Sequence, residues 1–213
     1  MYLTPRQILL AGATDLIGAQ LLDRLLSEPT IQRVQAPTHM PLAEHPRLQN
    51  PVGEFAALLA ELEGPVDVAF CCLASTCGQT DSQKTLIDLD ANLVRVFASR
   101  ARKLGARHLV VISAPGADPH STDPCHRVKG AMEQALQAQG WPQLTITRPA
   151  QLLGPRSELR ITERLTAPLL RLLPGKYQGI EASVLARALW RLALEESEGT
   201  RIVESEELRK LGK

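Results

Sequence analysis

Cys125 and Lys129 are the two residues whose types and spacing most directly suggest chemistry. Positions four apart lie on one face of a helix, so the Lys129 ammonium would lie beside the Cys125 thiol. A neighbouring cation favours the thiolate, the nucleophilic form of a thiol whose ordinary pKa is about 8.5. Cys125 is therefore either a reactive thiol or, in the interpretation we favour, a structural cysteine that fills space. His126 lies about 100° further around such a helix, so we do not pair it with Cys125.

A glycine turn near the start of the chain could bind phosphate. The segment GATDLIG follows an apolar run and precedes residues with helical spacing. Its first glycine permits a tight turn after a strand, and its second permits close packing of a helix on that strand. The helix N-terminus would offer N–H groups and the positive end of its dipole to a pyrophosphate. The predicted dinucleotide contacts in this turn are Gly12, Ala13, Thr14, Asp15, Leu16, Ile17 and Gly18.

Asp15 stands where such turns usually have their middle glycine. Its carboxylate would lie near two negative phosphates, and aspartate can cap a helix through the same N–H groups. Two alternatives stay open: tight dinucleotide binding, and a partly self-filled site that binds weakly or not at all. The end of the second strand has neither the acid typical of NAD enzymes nor the arginine typical of NADP enzymes. Thr38 or His39 could contact the ribose or a phosphate there, so the predicted cofactor is NADP or NAD.

The elements that would position these residues alternate along the chain. We expect strands at 7–12, 31–36, 66–73, 108–113 and 144–148, helices at 17–26, 55–62, 82–104 and 129–139, and a loop at 37–53. This alternation predicts an α/β fold, a doubly wound parallel sheet of Rossmann type. Helices at 158–173, 182–195 and from residue 205, with a short strand at 201–204, predict a small, mostly helical C-terminal subregion. We expect one domain, 1–213, in which 156–213 contributes the substrate side and Leu173, Pro174 and Tyr177 line the pocket.

Several short motifs carry a family resemblance over nearly the full length. They include GATDLIG, the strand end Cys71-Cys72-Leu73, ARH before VVIS, VKG with Glu133, TRP, LGP and the closing LGK. In order and spacing the chain resembles the atypical short-chain dehydrogenase/reductases, NAD(P)-binding Rossmann-fold proteins. Within that family it resembles the branch of the human Tat-interacting tumour-suppressor protein and its bacterial relatives.

The resemblance implies a catalytic set of Ser113, Cys125 and Lys129. Active members have a serine at the end of the fifth strand, matched by Ser113, and a Tyr-x-x-x-Lys pair on the next helix. Lys129 matches the lysine, which binds the nicotinamide ribose, but Cys125 stands at the tyrosine position. The tyrosine is the general acid of carbonyl reduction, and a cysteine side chain is several ångströms shorter. Further cofactor contacts implied by the family are Leu73, Ala74, Ser75 and Pro149, and Arg148 is expected to be a structural salt-bridge partner.

Composition and charge limit the classes of ligand and the compartment expected for the protein. With 44% hydrophobic and 22% charged residues and a net charge of +1, the chain has no basic stripe for nucleic acid. Its apolar runs are strand-sized, and no signal peptide precedes the first strand, so we expect a cytoplasmic protein that binds no membrane. Cys71 and Cys72 should face opposite sides of a strand, a poor geometry for a disulfide, which predicts a reduced chain. Metal binding by the cysteines is not favoured, because no second pair of ligands has zinc-like spacing. A redox pair of Cys77 and Cys125 is conceivable but unsupported, since the loops after parallel strands converge at the carboxyl edge of the sheet.

Three functions remain open on these residues. The favoured one is an NAD(P)-binding Rossmann protein with impaired reductase chemistry, because the tyrosine and the middle glycine are both replaced. The alternatives are an active NAD(P)H-dependent oxidoreductase on an unknown carbonyl substrate, and a non-catalytic sensor or scaffold with a protein partner. The expected ligands are a dinucleotide and an unknown small molecule. A homodimer is plausible through the helix at 82–104 and the helix around Lys129.

Overall fold

A single parallel sheet organises the chain in the computed structural model, which describes residues 6–73, 81–150, 152–153 and 179–213. The strands of the main sheet are β1 (Gln7–Ala11), β2 (Arg33–Gln35), β3 (Leu48–Gln49), β4 (Val68–Cys71), β5 (His108–Ile112), β6 (Gln143–Arg148) and β9 (Gly199–Glu204). Within these residues the sheet has seven strands in the order β3-β2-β1-β4-β5-β6-β9, and every pairing is parallel. The expectation of a doubly wound Rossmann-type sheet is confirmed.

Helices cover both faces of this sheet. They are α1 (Leu16–Ser27), α2 (Phe55–Glu61), α3 (Asp81–Lys103), α4 (Pro124–Gln137), α5 (Ala182–Leu194) and α6 (Ser205–Leu211). Ile8 and Leu10 of β1 pack in one apolar cluster with α1 and α5, while Leu9 and Ala11 pack in a second cluster with α2, α3 and α4. Strand side chains alternate between faces, so a strand covered on both sides is apolar at every position. That is why these strands appear in the sequence as continuous apolar runs.

Two differences from the expected elements matter for the site. The loop expected at 37–53 contains β3, a two-residue strand that pairs with β2 at the sheet edge. Helix α4 begins at Pro124, five residues before the expected start, because Asp123 caps it and proline suits the first helical position. Cys125 therefore lies in the first turn of α4. The helix expected at 158–173 lies outside the described residues.

The end of the chain belongs to the main fold. Helix α5 packs in the same cluster as α1, and β9 extends the sheet beside β6. A second, two-stranded sheet pairs β7 (Leu152–Leu153) with β8 (Ile180–Glu181) in parallel. Of the region expected to form the substrate side, residues 180–213 are thus integrated into the sheet and its helical layers. Most of the remainder, including Leu173, Pro174 and Tyr177, lies outside the described residues.

Candidate functional site

The site expected from the sequence lies where the strand order reverses. β1 and β4 are neighbours in the centre of the sheet, yet the chain runs outward from them in opposite directions. In open α/β sheets ligands bind in the crevice outside the carboxyl ends of two such strands. Gly12 follows β1 at this point, and Cys72 and Leu73 follow β4.

The two glycines of the turn are required by close backbone contacts. Gly12 has a φ of +78°, and a Cβ atom there would lie 2.9 Å from the carbonyl carbon of Cys72. A Cβ atom on Gly18 would lie 1.8 Å from the carbonyl oxygen of Gly12. The first glycine therefore gives the left-handed turn, and the second lets α1 approach the end of β1. Both conformational roles expected from the sequence are confirmed.

Asp15 occupies the N-cap position of α1 but does not cap it with its side chain. Its backbone is extended (φ −78°, ψ 162°), and no capping hydrogen bond forms. Asp15 and Thr14 are exposed and Leu16 is partly buried, whereas Ala13 and Ile17 are buried. The first-turn N–H groups of α1 are thus not bonded by the Asp15 carboxylate. The cap expected from the sequence is therefore not formed, but Oδ2 of Asp15 lies 3.1 Å from the position of a Cβ atom on Gly12, so its negative charge lies directly beside the turn.

The Asp15 charge also reaches the end of β4. Burial, followed by Cys71 and the Asp15 carboxylate, raises the pKa of the Cys72 thiol well above its ordinary value. Cys71 belongs to the apolar cluster under α3, whereas Cys72 belongs to the cluster under α1. The two cysteines thus face opposite sides of the sheet, as expected, and both are free thiols.

Thr38 is buried at the end of β2, with its hydroxyl already engaged. It donates to the carbonyl oxygen of Met40 at 2.6 Å and accepts from the Asn50 amide at 2.7 Å. A hydroxyl has a single proton, so Thr38 has none left for a cofactor in this arrangement. His39 is exposed beside it. The assignment of Thr38 to the cofactor stays a prediction.

Ser113 follows β5 and belongs to a buried polar network. Its hydroxyl donates to Oε1 of Glu133 on α4 at 2.5 Å. Arg148 at the end of β6 donates to both oxygens of the same carboxylate, from Nε at 3.0 Å and from Nη2 at 2.6 Å. The hydrogen bond to Glu133 raises the pKa of Arg148 above its ordinary value. Arg148 is thus a salt-bridge partner, as expected. The Glu133 contact with Ser113 was not foreseen from the sequence.

Cys125 lies in the first turn of α4, where Asp123 accepts hydrogen bonds from the N–H groups of Cys125 and His126. Cys125 is disulfide-bonded, so the expectation of a fully reduced chain is wrong at this residue. Lys129, one turn further along α4, is 2% exposed. From the sequence a redox role of Cys125 is conceivable but not favoured, because no local spacing pattern supports one.

Two close contacts bring the start of α4 to the carboxyl end of β5. A Cβ atom on Gly116 would lie 3.4 Å from the His126 ring, and one on Gly130 would lie 2.2 Å from the carbonyl carbon of Asp118. The loop after β5 therefore lies directly on α4. Ser113, Cys125 and Lys129 are consequently placed on adjoining elements at one edge of the sheet. Pro149, just after β6, is buried, and Leu73 is partly buried. Ala74 and Ser75 lie outside the described residues.

The backbone of the glycine turn fits a dinucleotide, whereas the negative charge of Asp15 beside it disfavours binding of a pyrophosphate. The Gly12 turn and the N–H groups at the start of α1 suit a pyrophosphate, whereas the Asp15 carboxylate opposes one. Within the described ranges, no group of three or more His, Cys, Asp or Glu residues could hold a metal ion. The helices described there include none that is long and apolar enough to cross a membrane.

The chain is similar in sequence to named fungal proteins and similar in fold to solved structures. No family model matches the chain. It is 28% identical over 165 residues to "Protein fmp52, mitochondrial" of Emericella nidulans, covering 73% of this chain and 71% of the relative. The protein of the same name from Aspergillus fumigatus is 27% identical over 220 aligned positions, covering 96% and 94% of the two chains.

Several solved structures similar to this chain are complexes with NAD. MoeE5 in complex with UDP-glucuronic acid and NAD has a TM-score of 0.70 at 19% identity, covering 92% of this chain and 75% of its own. The UDP-glucuronic acid 4-epimerase of Bacillus cereus in complex with NAD has a TM-score of 0.69 at 16% identity, covering 93% and 78%. The chain therefore shares the Rossmann-like fold of these proteins.

The names of the relatives correct two expectations. Several similar proteins are called mitochondrial, which contradicts the assignment to the cytoplasm. They are also fungal, which conflicts with the expected bacterial affinity.

Proposed function

We propose that this chain is an NAD(P)-binding Rossmann protein whose standard reductase chemistry is impaired. The observation that carries the proposal is the turn at the switch point, where Gly12 is left-handed and the N-terminus of α1 is not capped by a side chain. We keep the narrower relationship, to the Tat-interacting branch of the atypical short-chain reductases, as part of this proposal. The motifs around Lys129 and Arg148 support it.

Different groups of the chain would bind the two ends of the dinucleotide. The backbone from Gly12 to the first turn of α1 would hold the pyrophosphate, and Lys129 would bind the nicotinamide ribose as its family counterpart does. Burial of Lys129 supports a fixed position for its ammonium. When bound, the nicotinamide would supply hydride-transfer chemistry. The end of β2 has neither the acid that selects NAD nor the arginine that selects NADP. Titration with both reduced dinucleotides distinguishes between them.

Two observations support the impairment. A disulfide sulfur has no proton, so Cys125 in its bonded state cannot serve as the general acid in place of tyrosine. Ser113 directs its own proton to Glu133, so it is unable to donate to a substrate oxygen in this arrangement. Carbonyl reduction needs a proton donor at the oxygen, and both described candidates at this edge of the sheet lack an available proton.

The binding test is a fluorescence titration of purified protein with NADH and with NADPH. We expect saturable binding of at least one of them below about 1 mM. Absence of saturation with either would contradict the proposal at its first step and indicate that the Asp15 carboxylate beside Gly12 prevents binding.

The chemical test is an assay of aldehydes and ketones with whichever dinucleotide binds. We expect no turnover by the wild type and a gain in Cys125→Tyr, since a positioned general acid is worth about 10²–10⁴-fold. Steady turnover by the oxidised wild type would instead favour the active oxidoreductase. Under that alternative, Ser113 and Lys129, both buried at the matching positions, would carry the reaction.

We also keep the homodimer as a proposal. Helices α3 and α4 pack against each other on one face of the sheet, and Val96 of α3 is 43% exposed although apolar. Sedimentation velocity over a range of concentrations measures the mass of the species directly, and a monomer at every concentration would reject the dimer.

A further inference from the structure

A cleft at the amino edge of the sheet lies away from the candidate dinucleotide site. It has a volume of about 370 Å³ and is lined by Ser99, Arg102, Lys103 and Gln139. The first three belong to the last turns of α3, and Gln139 follows the end of α4. α3 ends just before β5 begins, whereas the glycine turn and Ser113 lie after the carboxyl ends of their strands. The cleft is therefore distinct from the site described above.

Three of the lining residues lie on one face of α3. Residues three and four positions apart are neighbours on a helix, so Ser99, Arg102 and Lys103 present their exposed side chains together. The turn after α4 forms the other side of the cleft. Gly140 in this turn is left-handed, with a φ of +65°, and a Cβ atom there would lie 3.7 Å from Nη1 of Arg102. The Arg102 guanidinium thus lies against the turn that connects α4 to β6.

The amide of Gln139 is oriented by two hydrogen bonds. Nε1 of Trp141, which can only donate, bonds Oε1 of Gln139 at 3.0 Å. The amide nitrogen of Gln139 donates to the carbonyl oxygen of Arg95 at 3.3 Å. An amide nitrogen has two protons, so a second one remains for a ligand, whereas the amide oxygen is already engaged. Gln139 therefore acts in this cleft as a donor.

The positive charge of the cleft has no counter-ion among the residues that the structure describes. Neither Arg102 nor Lys103 forms an ion pair with a carboxylate of those residues. Residues 91–117 contain no Asp or Glu, but they contain the cations Arg95, Arg100, Arg102, Lys103 and Arg107. Arg100 is engaged elsewhere, because its guanidinium donates to carbonyl oxygens at the end of α2. Basic residues in a last turn also offset the helix dipole, but that role needs no donor from a second helix.

We propose that this cleft binds the phosphate group of a small phosphorylated molecule. The Arg102 guanidinium can bond two phosphate oxygens at once, and Lys103 adds a compact positive charge. Ser99 and Gln139 each contribute one further donor. A set of donors around two unpaired cations suits an oxyanion and disfavours a cation. The volume of about 370 Å³ is near the lower end for small-molecule sites, which span about 300–1,000 Å³, so the ligand has few atoms.

The test is an NMR titration of the full-length, ¹⁵N-labelled protein with sodium pyrophosphate at constant ionic strength. We expect saturable shifts of the backbone amides of Arg102, Lys103 and Gln139, with a Kd below about 1 mM. The amides of Gly12 and α1 report separately on the dinucleotide site, where pyrophosphate could also bind. Absence of a saturable shift at the cleft would overturn the proposal, whether or not the glycine turn responds. Failure of NADH binding would reject the proposed function and leave the result at the cleft standing.

Variants separate the cleft from a general attraction between charges. Arg102→Gln and Lys103→Gln should each weaken pyrophosphate binding about tenfold, because each removes a charge-assisted hydrogen bond. Arg107→Gln is the matched control, since Arg107 is an exposed cation at the same edge of the sheet but does not line the cleft. Its affinity should equal that of the wild type, and an equal loss in all three variants would overturn the proposal. Unchanged affinity in Arg102→Gln, with lowered stability, would assign the cation to the helix dipole and likewise overturn it.

Vesicles distinguish a soluble ligand from the headgroup of a lipid. We expect no cosedimentation of the protein with phosphatidylcholine vesicles that contain phosphatidic acid. Cosedimentation that Arg102→Gln abolishes would assign the cleft to a lipid surface and overturn the assignment to a small molecule. The wild-type titration and the vesicle assay decide the proposal even if a variant fails to fold.

Discussion

The hydroxyl of Ser113 illustrates how neighbouring charges fix the direction of a hydrogen bond. Arg148 bonds both oxygens of Glu133, and an ionised carboxylate can only accept hydrogen bonds. Ser113 must therefore be the donor in its 2.5 Å contact with Glu133. A serine at the expected position is thus not sufficient for the expected chemistry, because its proton is directed into the protein.

The same network predicts a difference between two acids that share Arg148. Glu133 is 3% exposed, so Glu133→Gln removes the buried charged partner of Arg148, whose side chain is 18% exposed, and should lower the free energy of unfolding by about 3 kcal/mol. Glu204 contacts the other end of the guanidinium with a side chain 57% exposed. Glu204→Gln should therefore change stability by about 1 kcal/mol or less. Urea denaturation of both variants measures this, and equal effects would contradict the assigned importance of the buried pair.

Asp15 gives a prediction about affinity. Its side chain makes no cap, so Asp15→Asn removes a negative charge from the turn without removing a capping hydrogen bond. We expect NADH to bind about five- to tenfold more tightly, and Asp15→Gly to act in the same direction. Asp23→Asn is the control, because Asp23 is an exposed acid further along α1. Unchanged affinity in both Asp15 variants would make this residue a bystander, and an equal gain in Asp23→Asn would indicate a general charge effect.

At the candidate site the sequence predicted the roles of single residues but not several of the contacts between distant residues. The roles of Gly12 and Gly18 follow from a local pattern, because both glycines act within a single strand–turn–helix unit. The Ser113–Glu133 bond joins residues 20 apart and depends on how α4 lies against β5. The Cys125 disulfide likewise depends on tertiary placement. Local spacing has no information about such contacts.

At the scale of elements, long periodic segments were predictable and short ones were not. β3 has two residues inside a proline-containing loop, and it exists because β2 offers an edge with the correct register. A segment this short has no periodicity of its own. The early start of α4 was readable, since Asp123 followed by Pro124 is a typical helix start. The apolar periodicity began later and misplaced the boundary.

The close contact between α1 and β1 predicts that adding a methyl group at Gly18 destabilises the fold. In Gly18→Ala the new Cβ would lie 1.8 Å from the Gly12 carbonyl oxygen, so helix and strand must separate. We expect a loss of about 2–4 kcal/mol in unfolding free energy, together with loss of dinucleotide binding. Gly53→Ala is the matched control, because its nearest contact would be an ordinary 3.5 Å to Leu58. Thermal denaturation that finds the two variants equally stable would mean that α1 adjusts without strain.

For the whole molecule, the topology was predictable because few arrangements satisfy the physical constraints. Apolar strands alternating with amphipathic helices need a parallel sheet covered on both faces, and right-handed crossovers leave few strand orders. Incorporation of β9 was harder to foresee. Its exposed and partly exposed side chains make it an edge strand, with Val203 as its buried residue. A sequence pattern of this kind does not reveal which strand it joins.

Stability of the whole fold should depend on pH through His108, at the start of the central strand β5. Burial lowers the pKa of His108 from 6.5 to about 4, and its Nε2 lies 2.8 Å from the Thr145 hydroxyl. Between these two pKa values the unfolded chain binds a proton that the folded chain excludes. Its contribution is therefore complete above pH 6.5 and is lost as the pH falls towards 4, at about 1.4 kcal/mol per pH unit and about 3 kcal/mol in all.

Urea denaturation at intervals between pH 7.5 and pH 4.5 measures this slope. In His108→Leu the slope should flatten, even if the variant is less stable at every pH. His120→Gln is the control and should retain the wild-type slope, because the His120 side chain is exposed at the surface. An unchanged slope in His108→Leu would assign the acid sensitivity to other groups. The neutral His108 would then contribute to packing without linking the stability of the sheet to protons.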